Sequence, residues 1–118
     1  EKQMVKFDRV RISQVITNLL SNSIKYTDSG KIDLNVALEE KDKRVVVSIK
    51  DSGIGVSRED LSVLFSKFKQ LKTFDSSRKG TGLGLVVSKG IVEAHDGQIW
   101  AESAGENLGS TFYFSLPL

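Results

Sequence analysis

The 118-residue chain has no cysteine and only one histidine, His95. The lack of cysteine excludes a disulfide framework, a thiolate zinc site and an iron–sulfur cluster, and the single histidine excludes any site built on a histidine pair. A large charge of one sign is also missing, since 17 Lys+Arg against 15 Asp+Glu leave a formal net charge of +2. This balance predicts no contact with nucleic acid or with an anionic membrane surface. No apolar run approaches the roughly 20 residues that span a bilayer, so we expect one globular domain over residues 1–118.

The spacing of apolar residues predicts a helix, two strands, two helices and two strands. Residues 8–26 have apolar positions three and four apart, with Asp8 as N-cap. Residues 31–38 alternate apolar and polar side chains and predict a half-buried strand. The other predicted elements are a strand over 44–51, helices over 58–65 and 81–94, and strands over 97–102 and 110–116, with a polar loop over 67–79. This order predicts an α+β fold, a two-layer α/β sandwich with helices packed on one face of a mixed, mostly antiparallel sheet.

Two sets of apolar residues are predicted to lie in the core. In the helix over 81–94 the predicted buried stripe consists of Leu83, Val86, Val87, Ile91 and Ala94. In the closing strands the predicted core side chains are Trp100, Phe112 and Phe114.

The first helix carries a polar face opposite its apolar stripe. This face consists of Arg11, Gln14, Asn18, Asn22 and Lys25, which fall within one narrow sector. Amide oxygens are hard, neutral ligands suited to Mg²⁺, and a lysine one turn further on suits phosphate. The alternative interpretation is an ordinary solvated helix face, and the helix alone does not decide between the two.

Asp51 is the second candidate for a ligand-binding residue, because it lies on the same face of its predicted strand as the alternating apolar residues. A carboxylate at the end of a buried row is costly unless it finds donors. Ser52-Gly53-Ile54-Gly55 follows directly and allows a tight turn around a ligand. The carboxylate could accept a hydrogen bond from an adenine amino group. The alternative is that Asp51 only binds the backbone amides of its own turn.

A glycine-rich segment, Gly80-Thr81-Gly82-Leu83-Gly84-Leu85, opens the helix over 81–94. Glycines at a helix N-terminus expose amide N–H groups to an anion. The segment is not a P-loop, because no Gly-Lys-Ser/Thr follows, and it is not a dinucleotide fingerprint, because no strand directly precedes it. A phosphate-binding interpretation therefore depends on the rest of the chain.

Five segments in order resemble the motifs of the sensor histidine kinase catalytic domain, which has the Bergerat ATP-binding fold of the GHKL superfamily. Four resemble the N, G1, F and G2 boxes: Asn18-Leu-Leu-Ser-Asn22-Ser-Ile-Lys25-Tyr26-Thr27, Asp51-Ser-Gly53-Ile-Gly55, Phe65-Ser-Lys-Phe68 and Gly80-Thr-Gly82-Leu-Gly84-Leu. A fifth, over residues 105–112, resembles the last glycine box. The resemblance runs over residues 7–117, and five boxes at matching spacings are highly specific.

The resemblance implies a domain that binds Mg-ATP and transfers its γ-phosphoryl group to a histidine on a separate dimerisation domain. The implied metal ligand is Asn22, and the implied catalytic residues are Asn18, Asn22 and Lys25, which lie against the phosphates. The implied adenine-binding residues are Tyr26, Asp51, Gly53, Gly55 and Thr111. The implied lid occupies residues 67–79, with Phe68 as its anchor. The implied lid cations, hinge and phosphate cradle are Arg78, Lys79, Gly80, Thr81, Gly82, Leu83 and Gly84.

The same resemblance implies partners and a reaction class. Asn18 stands where the ATP-hydrolysing branches carry a glutamate that activates water, so phosphoryl transfer is favoured over hydrolysis. His95 is interpreted as a structural residue at a helix end, where an imidazolium suits the helix dipole. The acceptor histidine is therefore expected on another domain, and a response regulator is expected to receive the phosphoryl group in turn. The domain is expected in the cytoplasm, whether or not its parent protein is membrane-anchored. The alternatives are a nucleotide-binding module without transfer activity, and a GHKL ATPase or serine kinase.

Overall fold

The computed structural model describes residues 5–25, 27, 30–61, 64–65, 84–105 and 107–118. Its helices are α1 (Arg9–Lys25), α2 (Arg58–Leu61) and α3 (Gly84–Ala94). Its strands are β1 (Ile32–Glu39), β2 (Arg44–Asp51), β3 (Ile99–Glu102) and β4 (Ser110–Pro117). Among the residues described, no helix is both long enough and apolar enough to cross a bilayer.

The four strands form one sheet in the order β1-β2-β4-β3. Each neighbouring pair is antiparallel, with Ile49 of β2 opposite Leu34 of β1 on one side and Phe112 of β4 on the other. The helices α1 and α3 pack together and cover one face of this sheet. The α+β sandwich predicted from the sequence is confirmed, and its described strand pairs are all antiparallel.

Helix α1 begins as predicted. The carboxylate of Asp8 caps it by accepting a hydrogen bond from the backbone N–H of Arg11 at 3.1 Å. One row of its side chains is buried against the sheet, and this row consists of Ile12, Val15, Leu19 and Ser23. The row meets the buried side chains of β2 and β4, Phe112 and Phe114 among them, which confirms the core position of these two aromatics.

The two long helices run antiparallel. At one end, the N–H of Asp8 donates to Nε2 of His95 at 2.9 Å, while Nδ1 of His95 lies 2.8 Å from the carbonyl oxygen of Ile91. At the other end, Asn18 of α1 contacts Gly84, the first residue of α3. His95 therefore lies at a helix end, as expected, where its ring joins the start of α1 to the last turn of α3.

The direction of α3 decides which end of the sheet faces Asn18. Directly after α3, Gln98 exchanges hydrogen bonds with Ser115 of β4. Helix α3 therefore ends close to Ser115, and at 1.5 Å per residue it is roughly 16 Å long. The part of β4 from Ser115 back to Ser110 has nearly the same length, roughly 17 Å. The start of α3, the second half of α1 and the end of β2 at Asp51 therefore meet at one end of the sandwich.

Three expectations from the sequence are wrong in detail. Most of the apolar row of β1 is exposed: Ile32 packs against the core, but Leu34, Val36 and Leu38 are all more than 40% accessible. The reason is that β1 is an edge strand, beyond the main cover of the described helices. In α3 the buried residues are Leu85, Ser88 and Val92. Of the predicted stripe, Ile91 packs against the core, Val87 and Ala94 are exposed, and Leu83 lies outside the described residues. Trp100 is opposite Tyr113, on the face away from the core, and stacks on it with ring centroids 5.1 Å apart.

Candidate nucleotide-binding site

Asp51 is the buried polar residue at the end of β2, and only 5% of it is exposed. Its Oδ1 accepts a hydrogen bond from the N–H of Gly53 at 2.9 Å, and its Oδ2 accepts one from the hydroxyl of Ser110 at 2.9 Å. The turn interaction considered from the sequence therefore exists. A carboxylate has about four acceptor positions, so each oxygen can accept one more hydrogen bond beyond those from the described residues.

The hydroxyl beside Asp51 belongs to Ser110 and not to Thr111. Asp51 pairs with Ser110 across the sheet, whereas Thr111 pairs with the exposed Lys50. Because side chains alternate along a strand, Thr111 lies on the face of the sheet opposite Asp51. The expectation that Thr111 closes the adenine pocket is contradicted by this register, and sequence reasoning missed Ser110, its neighbour.

The loop after β2 crosses the loop before β4 at very short range. Gly55 has φ +71°, and a Cβ there would overlap the carbonyl oxygen of Gly105. Gly109 donates its N–H to the carbonyl of Gly53 at 3.2 Å. The hydroxyl of Ser103 accepts from the N–H of Val56 at 3.0 Å and donates to the carbonyl of Gly109 at 2.7 Å. Gly53 and Gly55 therefore lie next to Asp51, in a loop pair held by backbone contacts.

The polar face of α1 is partly covered. Asn18 and Asn22 are half-buried, whereas Lys25, the last residue of α1, is exposed. The amide Nδ2 of Asn18 donates to the carbonyl oxygen of Gly84 at 3.3 Å and to Oγ of Ser88 at 3.2 Å. The structure thus brings Asn18, Asn22 and Gly84 to the same end of the sandwich as Asp51.

A buried hydroxyl lies in the same region. Ser23 follows Asn22 directly and is 2% exposed, and its Oγ has no hydrogen-bond partner among the residues that the structure describes. A buried hydroxyl usually has a partner in the protein or an ordered water. Ser23 is the last buried residue of α1, and Asp51 is the last buried residue of β2. At this end of the sandwich the buried side chains are therefore polar and not apolar. A polar ligand or water fits this place.

Several candidate residues lie outside the described residues. They are Tyr26, Phe68, Arg78, Lys79, Gly80, Thr81, Gly82 and Leu83. The roles implied for them, and for the lid over 67–79, remain predictions.

The donor set fits a magnesium ion that arrives with its nucleotide. Within the described part of the chain, no three His, Cys, Asp or Glu side chains converge on one point. Mg²⁺ does not need such a cluster, because it keeps several waters and is held by few protein oxygens together with substrate phosphates. The side-chain oxygen of Asn22 could supply one of these ligands.

Comparison with known proteins identifies relatives of the whole chain. Residues 7–118 match the family model described as "Histidine kinase-, DNA gyrase B-, and HSP90-like ATPase". The chain is 45% identical to the adaptive-response sensory kinase SasA of Synechococcus elongatus and 37% identical to the sensor histidine kinase WalK of Bacillus subtilis. These matches cover 94% and 96% of this chain, but only 28% of SasA and 19% of WalK. A solved structure of full-length ShkA in complex with AMPPNP matches with a TM-score of 0.78 and 27% identity, over 91% of this chain and 21% of ShkA.

Proposed function

Because the chain belongs to the histidine kinase-, DNA gyrase B- and HSP90-like ATPase family, as the ATP-binding catalytic domain of a histidine kinase, we propose that it binds Mg-ATP at the end of the sandwich defined by Asp51, Asn18 and Asn22. We further propose that it transfers the γ-phosphoryl group to a histidine on a separate dimerisation domain.

The observation that carries this proposal is the burial of Asp51 at that end. A carboxylate with spare acceptor positions, next to glycines that leave room for a ligand, suits the exocyclic amino group of adenine. The hydroxyl of Ser110 fixes one carboxylate oxygen and the N–H of Gly53 fixes the other. The bound AMPPNP of ShkA, a relative of the same fold, supports an ATP-like ligand here.

Asn22 and Lys25 are assigned to the phosphate end of the site. The side-chain oxygen of Asn22 would ligate Mg²⁺, and the ammonium of Lys25 would contact a phosphate oxygen. The metal, when bound, would neutralise charge on the phosphates. Tyr26 would pack on the adenine, and Gly80, Thr81, Gly82 and Leu83 would donate backbone N–H groups to the phosphates, with Arg78 and Lys79 as lid cations beside Phe68.

The chemistry is an in-line displacement at the γ-phosphorus. An imidazole nitrogen of the acceptor histidine forms a bond to phosphorus, the bond from phosphorus to the β–γ bridging oxygen breaks, and ADP leaves with that electron pair. The protein orients the groups and excludes water. Asn18 has no basic group to take a proton from water, which favours transfer over hydrolysis. A response regulator aspartate would then receive the phosphoryl group, in the cytoplasm.

The test combines binding with transfer in trans. Calorimetric titration with AMPPNP should show binding that is tighter with Mg²⁺ than without it. With radiolabelled ATP, the chain alone should neither label itself nor hydrolyse ATP quickly. A histidine-containing dimerisation domain from a related kinase should acquire an acid-labile label, and Asn22→Ala should abolish it.

Each remaining outcome selects another function. Tight AMPPNP binding without transfer to any dimerisation domain would favour a nucleotide-binding module. Rapid phosphate release by the chain alone would favour an ATPase, and a label on His95 would overturn the assignment of His95 as structural.

A further inference from the structure

The carboxamide of Asn18 is held by two acceptors on α3. Its Nδ2 lies 3.3 Å from the carbonyl oxygen of Gly84 and 3.2 Å from Oγ of Ser88. The carbonyl of Gly84 can only accept a hydrogen bond, so the atom facing it must be the amide nitrogen. The orientation of this carboxamide is therefore fixed by chemistry.

Ser88 is an unexpected residue at its position in α3. It is completely buried, between the core residues Leu85 and Val92. Serine is a poorer helix former than alanine, and a buried hydroxyl is costly unless it has a hydrogen-bond partner. Among the described residues, the amide of Asn18 donates a hydrogen bond to this Oγ.

These contacts engage the amide nitrogen of Asn18, so its oxygen Oδ1 is the atom that could meet a ligand. The amide nitrogen has two hydrogens, which is enough to serve both Gly84 and Ser88. Because the carboxamide is planar, holding its nitrogen against α3 turns Oδ1 away from α3. With Gly84 as sole acceptor the amide plane could rotate about that single hydrogen bond, whereas two acceptors fix the plane.

We propose that Ser88 is a positioning residue for the nucleotide site, and that it acts by holding the Asn18 carboxamide so that Oδ1 meets the Mg²⁺-bound triphosphate. This proposal rests on the proposed function, because it requires a nucleotide at this end of the sandwich. It differs from a packing role, since Ser88 would affect the phosphate end of the ligand and not the adenine end.

A double-mutant cycle tests the pair. Asn18→Ala, Ser88→Ala and the double variant are titrated with AMPPNP plus Mg²⁺ and, separately, with adenosine, followed by amide chemical shifts. Each single variant should bind AMPPNP about threefold to tenfold more weakly, as expected for one lost hydrogen bond, and bind adenosine within twofold of the wild type. The double variant should be no weaker than Asn18→Ala alone, because Ser88 acts through Asn18.

Matched variants separate the hydroxyl from packing. Ser88→Thr and Ser88→Val add side chains of nearly the same shape, but only threonine keeps an acceptor oxygen. Threonine should therefore retain more of the AMPPNP affinity than valine. Ser115→Ala removes another buried hydroxyl, which accepts a hydrogen bond from the N–H of Gln98 at the far end of the sheet, and should leave the affinity for AMPPNP unchanged. Thermal melts confirm that each variant is folded.

The outcomes distinguish the inference from its premise. If the wild type does not bind AMPPNP, the proposed function itself fails. If the wild type binds AMPPNP and Ser88→Ala binds it equally well, the positioning role is wrong while the nucleotide site stands. The same conclusion follows if the affinities of Ser88→Ala for AMPPNP and for adenosine fall by the same factor. Additive losses in the double variant would also overturn it.

Discussion

Replacing Asp51 with asparagine is the sharpest test of the adenine site, because the fold should tolerate it. The asparagine oxygen can accept from the N–H of Gly53, and its amide nitrogen can donate to the hydroxyl of Ser110, which is free to rotate. Two charge-assisted hydrogen bonds become neutral ones, so the free energy of unfolding should fall by about 1 kcal/mol. In that orientation the group left for the ligand includes an N–H donor.

The effect on nucleotide binding should be larger and specific to the base. An adenine amino group that meets a donor in place of a carboxylate loses a charge-assisted hydrogen bond, worth about 1–3 kcal/mol, or about five- to 150-fold in affinity. Inosine triphosphate carries an acceptor oxygen where ATP carries the amino group. The substitution should therefore weaken ATP binding and reduce the preference for ATP over inosine triphosphate.

Calorimetry with AMPPNP, and competition with inosine triphosphate, measure both quantities. Asp33→Asn is the matched control, because Asp33 is an exposed carboxylate on β1 and its loss changes the net charge equally. Removing one negative charge should by itself favour an anionic ligand, so a loss confined to Asp51→Asn cannot arise from net charge. An unchanged affinity for AMPPNP, or equal losses for both nucleotides, would remove Asp51 from base recognition.

Four further substitutions test the frame around the site. Gly55→Ala should destabilise the protein by more than about 2 kcal/mol in urea denaturation, because its Cβ would overlap the Gly105 carbonyl at φ +71°. At Gly84 the nearest described atom to an added Cβ is Cγ of Asn18 at 3.9 Å, so Gly84→Ala should be neutral or stabilising by up to about 1 kcal/mol. His95→Gln should cost about 1 kcal/mol of stability and leave the AMPPNP affinity unchanged, whereas a drop in affinity would place the ring in the site. Val36→Ser should change the free energy of unfolding by less than about 0.5 kcal/mol, because Val36 is 64% exposed; a cost near 2 kcal/mol would mean that β1 is covered in solution.

Local patterns predicted the elements well but not what covers them. Alternation marked β1 as a strand with one apolar face, and its cross-strand partners Val47 and Ile49 are indeed buried. The burial of β1 itself depends on how far the helix layer extends, which is a tertiary property. The same limit explains Trp100, because its parity relative to Phe112 and Phe114 depends on a strand register that a sequence does not specify.

The candidate site shows a similar division. Asp51 was found because a carboxylate in a buried row breaks a pattern, and such a break is visible in sequence. Ser110 and Ser88 were missed because serine fits both a surface and a buried hydrogen bond. In α3, whose segment Gly84–Ala94 has apolar residues on more than one side, the helical period did not settle which face is buried. The predicted stripe therefore did not include Ser88, although Ser88 is completely buried.

Asn18 is the residue on which the proposed preference for phosphoryl transfer over hydrolysis depends. Its side chain lacks a basic atom, and its amide nitrogen is bound to the start of α3 through Gly84 and Ser88. An asparagine held in this way can orient a phosphate or a metal ligand, but it cannot activate water. The same hydrogen bonds attach the proposed phosphate-binding face of α1 to the helix that follows the proposed cradle. Nucleotide affinity and the attachment of α3 should therefore change together when Asn18 is altered, whereas the adenine end, held by Asp51 through the sheet, should respond separately.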